Sequence, residues 1–124
     1  MASPSILFLD DDADLRESVV IVFDVLGKVC LAVDSMGAMI EARKSALSCE
    51  LAILDVNLGE GLPSGVDAYE WLRAQGFGGR IVFLTGHAPN HPAVARAAAL
   101  GAVILRKPIA AAELRGLVAS SGAA

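Results

Sequence analysis

At 124 residues, 55% hydrophobic and 19% charged, the chain is long enough to bury roughly two-thirds of its unfolded surface in one core, and too apolar to be disordered. Its net charge of -4 gives no electrostatic ground for direct binding to nucleic acid or to an anionic membrane. The longest apolar runs, Val19 to Phe23 among them, are far too short to span a bilayer.

In chain order, short runs rich in Val, Ile and Leu alternate with longer segments whose apolar residues recur at helical spacing. Ser5 to Leu9 opens as a strand, without the basic flank or cleavage site of an export signal, so a cytoplasmic protein is expected. Leu15, Val19, Val22, Phe23 and Leu26 then form one helical stripe closed by Gly27. A strand over Lys28 to Val33 and a helix over Ser35 to Leu47 follow. Leu51 to Asp55 is the third strand, and after a Gly-rich and Pro-containing loop, Gly59 to Gly65, a helix runs from Val66 to Gln75 and stops at Gly76. Arg80 to Leu84 is the fourth strand. Asn90, His91 and Pro92 open a helix ending at Gly101, Ala102 to Arg106 is the fifth strand, and a last helix covers about Ala110 to Val118.

Five near-continuously apolar strands, each followed by a helix, predict an α/β fold: a flavodoxin-like, doubly wound parallel sheet of order 2-1-3-4-5 with five helices. A single domain over 1–124 is expected, with its core at about 4–119 and no output domain after the short tail from Ala119. Cys30 and Cys49 have no metal-type spacing and are expected as buried free thiols.

In such a sheet, function gathers at the C-terminal strand ends. Those ends carry Asp10 and Asp11, Asp55, Thr85 and Lys107. Three carboxylates brought together disfavour one another's ionisation and call for a cation; Mg2+ suits a few carboxylate oxygens, retained waters and a substrate phosphate. Beside it Asp55 can act as a nucleophile towards a phosphoryl donor. Lys107 supplies positive charge to the phosphoryl oxygens, and Thr85 supplies a hydroxyl hydrogen bond. Plainer roles exist for each residue. An Asp run before a helix can cap it, and Asp12 or Asp14 is expected to do so; a lone strand-end Asp is a turn residue. His87 and His91 share a loop without a second ligand cluster, which speaks against a transition-metal site. Tyr69 and Trp71 are expected to pack rather than to hold a cofactor.

Ile6-Leu-Phe-Leu-Asp-Asp-Asp, Leu54-Asp55-Val-Asn57, Leu84-Thr85-Gly and Lys107-Pro108 stand in order across nearly the whole chain, and together they resemble the receiver domain of two-component response regulators, in its single-domain form. The resemblance implies phosphorylation of Asp55 by a histidine kinase or a histidine phosphotransfer protein, with an unknown downstream protein as target. It implies Mg2+ held by Asp10 or Asp11, Asp55 and the Asn57 backbone carbonyl, a cis Lys107-Pro108 bond, and His87 as a modulator of water access. Leu15, Ser18 and Ile21 on the first helix, with Pro108 after the fifth strand, are the implied partner-binding positions; Val20, Ile21 and Val25 widen the apolar stripe there. The molecule is expected to be a monomer or weak homodimer, and a phosphoacceptor that assists its own phosphorylation and dephosphorylation rather than an enzyme.

The chain departs from the family in three places. Ile104 stands where an aromatic switch residue is usual, the interval from Gly101 to Lys107 is one residue short, and the loop from Leu58 to Gly65 is about four residues longer than usual, with Glu60 adding acidity. That loop is expected to alter partner access or phosphoryl lifetime. These departures keep open a receiver-like scaffold that binds partners without phosphorylation. A phosphatase of the haloacid dehalogenase type is a further alternative, though such enzymes need an acid where Asn57 stands.

Overall fold

The computed structural model describes residues 3–59 and 61–121; Glu60 and the end of the tail lie outside them. Five parallel strands, β1 (Ile6–Leu9), β2 (Cys30–Val33), β3 (Leu51–Asp55), β4 (Arg80–Thr85) and β5 (Val103–Arg106), form one sheet of order β2-β1-β3-β4-β5. The helices are α1 (Ala13–Val25), α2 (Met36–Glu41), α3 (Arg43–Ser48), α4 (Gly65–Ala74), α5 (Pro92–Ala99) and α6 (Ala111–Ser121). The order is the expected one, but among the described residues there are six helices and not five. The segment read as one helix over Ser35 to Leu47 is interrupted at Ala42, whose ψ of 25° leaves the helical region. Backbone bonds from Ala42 to Ala38 and from Ala46 to Ala42 continue on either side, so the break is a local distortion.

Strand alternation divides the core into two layers. Leu7 and Leu9, Ala52 and Leu54, and Ile81 and Phe83 point to one side, where they meet Met39, Ala46, Val66, Ala68, Leu72, Val94 and Ala97 from α2 to α5. Ile6 and Phe8, Leu51 and Ile53, and Val82 and Leu84 point to the other, against Val19 and Phe23 of α1 and Leu114 and Leu117 of α6. Helices on both faces explain why β1 and β3 are buried throughout and apolar up to the terminal Asp55. The edge strands are less covered, and Val103 on β5 is 45% exposed. Tyr69 and Trp71 are half-buried against the first layer, and the Tyr69 ring meets Phe83 at 5.8 Å between centroids. Both are packing residues.

Local chemistry sets the helix ends. Asp12, not Asp14, caps α1, its carboxylate accepting from the N–H groups of Asp14 and Leu15 at 3.0 and 3.2 Å. Gly27, with φ of 78°, takes the left-handed conformation that ends α1 cheaply. Ser64 and Asp67 form a reciprocal capping box at the start of α4, and His91 caps α5 with Pro92 at its first turn. Cys30 is half-buried and Cys49 buried, both as free thiols; burial pushes them up to about 12 and about 11, so they stay protonated and unreactive. Among the described residues no helix is long and apolar enough to cross a membrane.

Candidate functional site

The register of the central strands brings the chemistry to one rim. Leu9 pairs with Leu54 and Asp55 with Leu84, so Asp10, directly after β1, stands beside Asp55, the last residue of β3. One position further along, Thr85 pairs with Arg106, and the Lys107 N–H donates to the Thr85 carbonyl at 2.8 Å. Asp10, Asp55 and Thr85 are the polar residues buried at this rim, at 0%, 3% and 1% exposure.

Lys107 Nζ lies 2.9 Å from Asp10 Oδ2 and 3.3 Å from Asp55 Oδ2. Asp11 is exposed beside them, and one carboxylate oxygen from each of Asp10, Asp11 and Asp55 falls within 4.8 Å of the others. Three carboxylates against one ammonium leave the crevice short of positive charge. Two consequences are visible. Burial, then the neighbouring Asp10 charge, pushes the Asp55 carboxyl up to about 7 despite Lys107 and the Asn57 N–H. For Lys107, burial works downwards, but the close Asp10 and Asp55 carboxylates outweigh it and raise the ammonium above its usual range.

The first-strand acids divide their labour. Asp10 Oδ1 accepts the Asp12 N–H at 2.9 Å and the Asp10 carbonyl accepts from Arg16 at 2.8 Å, which fixes the turn into α1. Asp10 Oδ2 is buried with the ammonium near it but no hydrogen-bond donor aligned on it. A buried carboxylate oxygen in that state, with two further carboxylates in reach, fits a hard divalent cation. Asp12 and Asp14 are not in this cluster and serve as cap and exposed first-turn residue.

Around Asp55 the backbone is tight. The Asn57 N–H donates to Asp55 Oδ1 at 3.2 Å. A Cβ on Gly65 would lie 2.2 Å from the Asp55 carbonyl oxygen, so α4 can begin directly against the end of β3 only because residue 65 is glycine. The Gly-Val-Asp stretch is readable in the sequence, but the contact that demands its glycine is not. Thr85 Oγ1 accepts the His87 N–H at 2.9 Å, which leaves its hydroxyl proton free to be donated. Lys107-Pro108 is cis.

The remaining sequence candidates fall in three places. Asn57 and His87 meet between the loops after β3 and β4, Nδ2 to Nε2 at 2.8 Å, and His87 and His91 stack at 4.2 Å between centroids. Each imidazole has one nitrogen engaged, by Asn57 and by the Ala93 N–H respectively; the cluster of possible metal ligands found among the described residues is the acidic one. Ile104 is half-buried against the first core layer. On α1, Leu15 is half-buried against the second layer while Ser18 and Ile21 are exposed, Ile21 at 56%, and Pro108 is exposed beyond β5. These positions are not part of the acidic crevice.

The sequence profile of the response regulator receiver domain matches residues 6–119. No curated protein matches the sequence. Solved structures share the fold: a response regulator receiver domain protein from Clostridium thermocellum at 22% identity and TM-score 0.80, covering 95% of this chain and 93% of that one; a CheY-like receiver domain from Methylobacillus flagellatus at 22% and 0.78, covering 96% and 98%; and the chemotaxis protein CheY4 of Vibrio cholerae at 21% and 0.79, covering 97% and 99%. With the profile spanning nearly the whole chain and the strand order agreeing with it, this protein belongs to the response regulator receiver domain family of two-component signalling.

Proposed function

We propose that Asp55 takes a phosphoryl group from a phosphohistidine on a histidine kinase or histidine phosphotransfer protein, and that the acyl phosphate formed changes the contacts this domain makes. A carboxylate oxygen of Asp55 attacks phosphorus, the P–N bond breaks, and the imidazole of the donor leaves with its electron pair. The observation that carries this is Lys107 Nζ at 2.9 and 3.3 Å from two buried carboxylates in a crevice holding a third. Such an arrangement has more anionic charge than it can neutralise and is suited to a cation and a phosphoryl group together.

Asp10, Asp11, Asp55 and the Asn57 carbonyl would hold Mg2+, which when bound offsets charge on the acids and the phosphoryl oxygens. Lys107 moves its interaction from Asp55 to a phosphoryl oxygen, and Thr85 donates its free hydroxyl proton to another. His87, bridged to Asn57, screens one approach of water, and Ile104 fills the switch position with a residue that cannot swing as an aromatic ring does. The domain acts as a phosphoacceptor in the cytoplasm, as a monomer or weak homodimer.

Incubation with Mg2+ and a small acyl phosphate, read by intact mass, tests this. A gain of one phosphoryl group that Asp55→Asn abolishes is expected. No gain, or a gain that survives the substitution, would falsify the phosphoacceptor role and leave the scaffold reading.

A further inference from the structure

His91 lies outside the crevice and touches none of its acids, yet it is tied to the crevice through one ring. The Asn57 side chain is oriented by the Gly59 N–H, which donates to Asn57 Oδ1 at 3.1 Å. Its amide nitrogen therefore faces His87, and since an amide N–H only donates, His87 Nε2 is the acceptor at 2.8 Å. That bond links the loop after β3 to the loop after β4, two residues beyond Asp55 and two beyond Thr85. The His87 main chain is fixed as well, its N–H donating to Thr85 Oγ1.

A single hydrogen bond between exposed loops holds an imidazole loosely, because the ring remains free to turn about its side-chain bonds. Here the other face of the ring is occupied. The His91 imidazole lies against it at 4.2 Å with 17° between planes, and His91 is itself anchored: its Nδ1 accepts the Ala93 N–H at 3.1 Å as the cap of α5, and its N–H donates to the Ala88 carbonyl at 3.0 Å. The stack thus ties the orientation of the His87 ring to the start of a helix whose Val94 and Ala97 are buried in the core.

We propose that His91 is a positioning residue for the phosphoacceptor site, holding His87 against Asn57 as a latch between the loops that follow Asp55 and Thr85 and so lengthening the life of the acyl phosphate. This rests on the phosphoacceptor reading above. Its ring, not its capping nitrogen, performs the task.

Two substitutions separate ring from cap. His91→Ser keeps a good helix cap and removes the ring; His91→Phe keeps a stacking ring and removes the cap. Each protein, with the unsubstituted one, is loaded with Mg2+ and a small acyl phosphate, freed of donor, and followed by intact mass as the phosphoryl group is lost. His91→Ser is expected to shorten the half-life by roughly two- to tenfold, the range that the contact energy of an aromatic pair spans, and His91→Phe to restore it. An unchanged half-life in His91→Ser, or a half-life in His91→Phe as short as in His91→Ser, overturns the proposal while leaving Asp55 as phosphoacceptor. Absence of any phosphoryl gain in all three proteins overturns the phosphoacceptor reading and this proposal with it.

Discussion

Asp55 is held at the edge of ionisation. Its carboxyl is pushed up to about 7, first by burial and then by Asp10, whereas the unfolded chain would release that proton near 3.8. In the metal-free protein the folded state therefore keeps a proton that the unfolded state sheds; the stability this contributes is present below about pH 4 and is lost as pH rises through about 7. Metal binding runs the other way, because the cation competes with the same proton. Titration calorimetry at pH 6 and pH 8 should show Mg2+ binding about tenfold tighter at pH 8, as the ionised fraction of Asp55 rises from roughly a tenth to nine-tenths. In Asp55→Asn the same comparison should be nearly flat, and equal pH dependence in both proteins would show that another group controls the site. Asp10, Asp55, Thr85 and Lys107 were all legible in the sequence, because each is a polar residue at the end of an apolar run. Asp10 and Asp11 could not be told apart there. The difference between them arises from burial and from the Asp12 N–H, which the turn into α1 supplies.

At the scale of elements, α4 is seated by a glycine and α6 is not. A Cβ at Gly65 would strike the backbone of Asp55 and Val56, while one at Gly116, within α6, meets nothing within 4 Å. Urea unfolding should show Gly65→Ala destabilised by at least about 2 kcal/mol, since backbone must shift to relieve the clash. Gly116→Ala should gain about 0.5 to 1 kcal/mol from helix propensity alone. Similar values for the two would contradict the close approach of α4 to β3. The stripe of α1 and the stops at Gly27 and Gly76 were readable because they depend on local periodicity and turn chemistry. The distortion at Ala42 was not, since nothing in Glu41-Ala42-Arg43 opposes a helix. Nor were the Gly65 contact and the His87–His91 stack, which depend on where separate segments come to rest.

Across the whole molecule the order β2-β1-β3-β4-β5 puts the acids and Lys107 at one rim and leaves α1 and α6 side by side on one face. Between them runs an apolar groove of about 180 Å³ lined by Ile21, Val22, Val25, Leu26, Ala111 and Arg115, with Val25 80% exposed. The sequence showed the excess of apolar residues on α1, but the contribution of α6 needed the fold. In the phosphotransfer proposed above, a helix of the donor protein would cover this groove. Ile21→Glu should then slow transfer from a phosphorylated histidine donor by roughly tenfold or more, as expected for loss of an interface anchor, and leave labelling by a small acyl phosphate unchanged. Equal loss with both donors would place the fault in the crevice rather than in docking.

The identity of the acceptor atom is open to direct chemistry, since borohydride reduces an aspartyl phosphate, but not a free carboxylate, to homoserine. Phosphorylated protein treated in this way and mapped by peptide mass spectrometry should carry homoserine at position 55 alone. Homoserine at position 10 or 11, or at no position in a protein that has gained a phosphoryl group, would contradict the assignment of Asp55 as the acceptor.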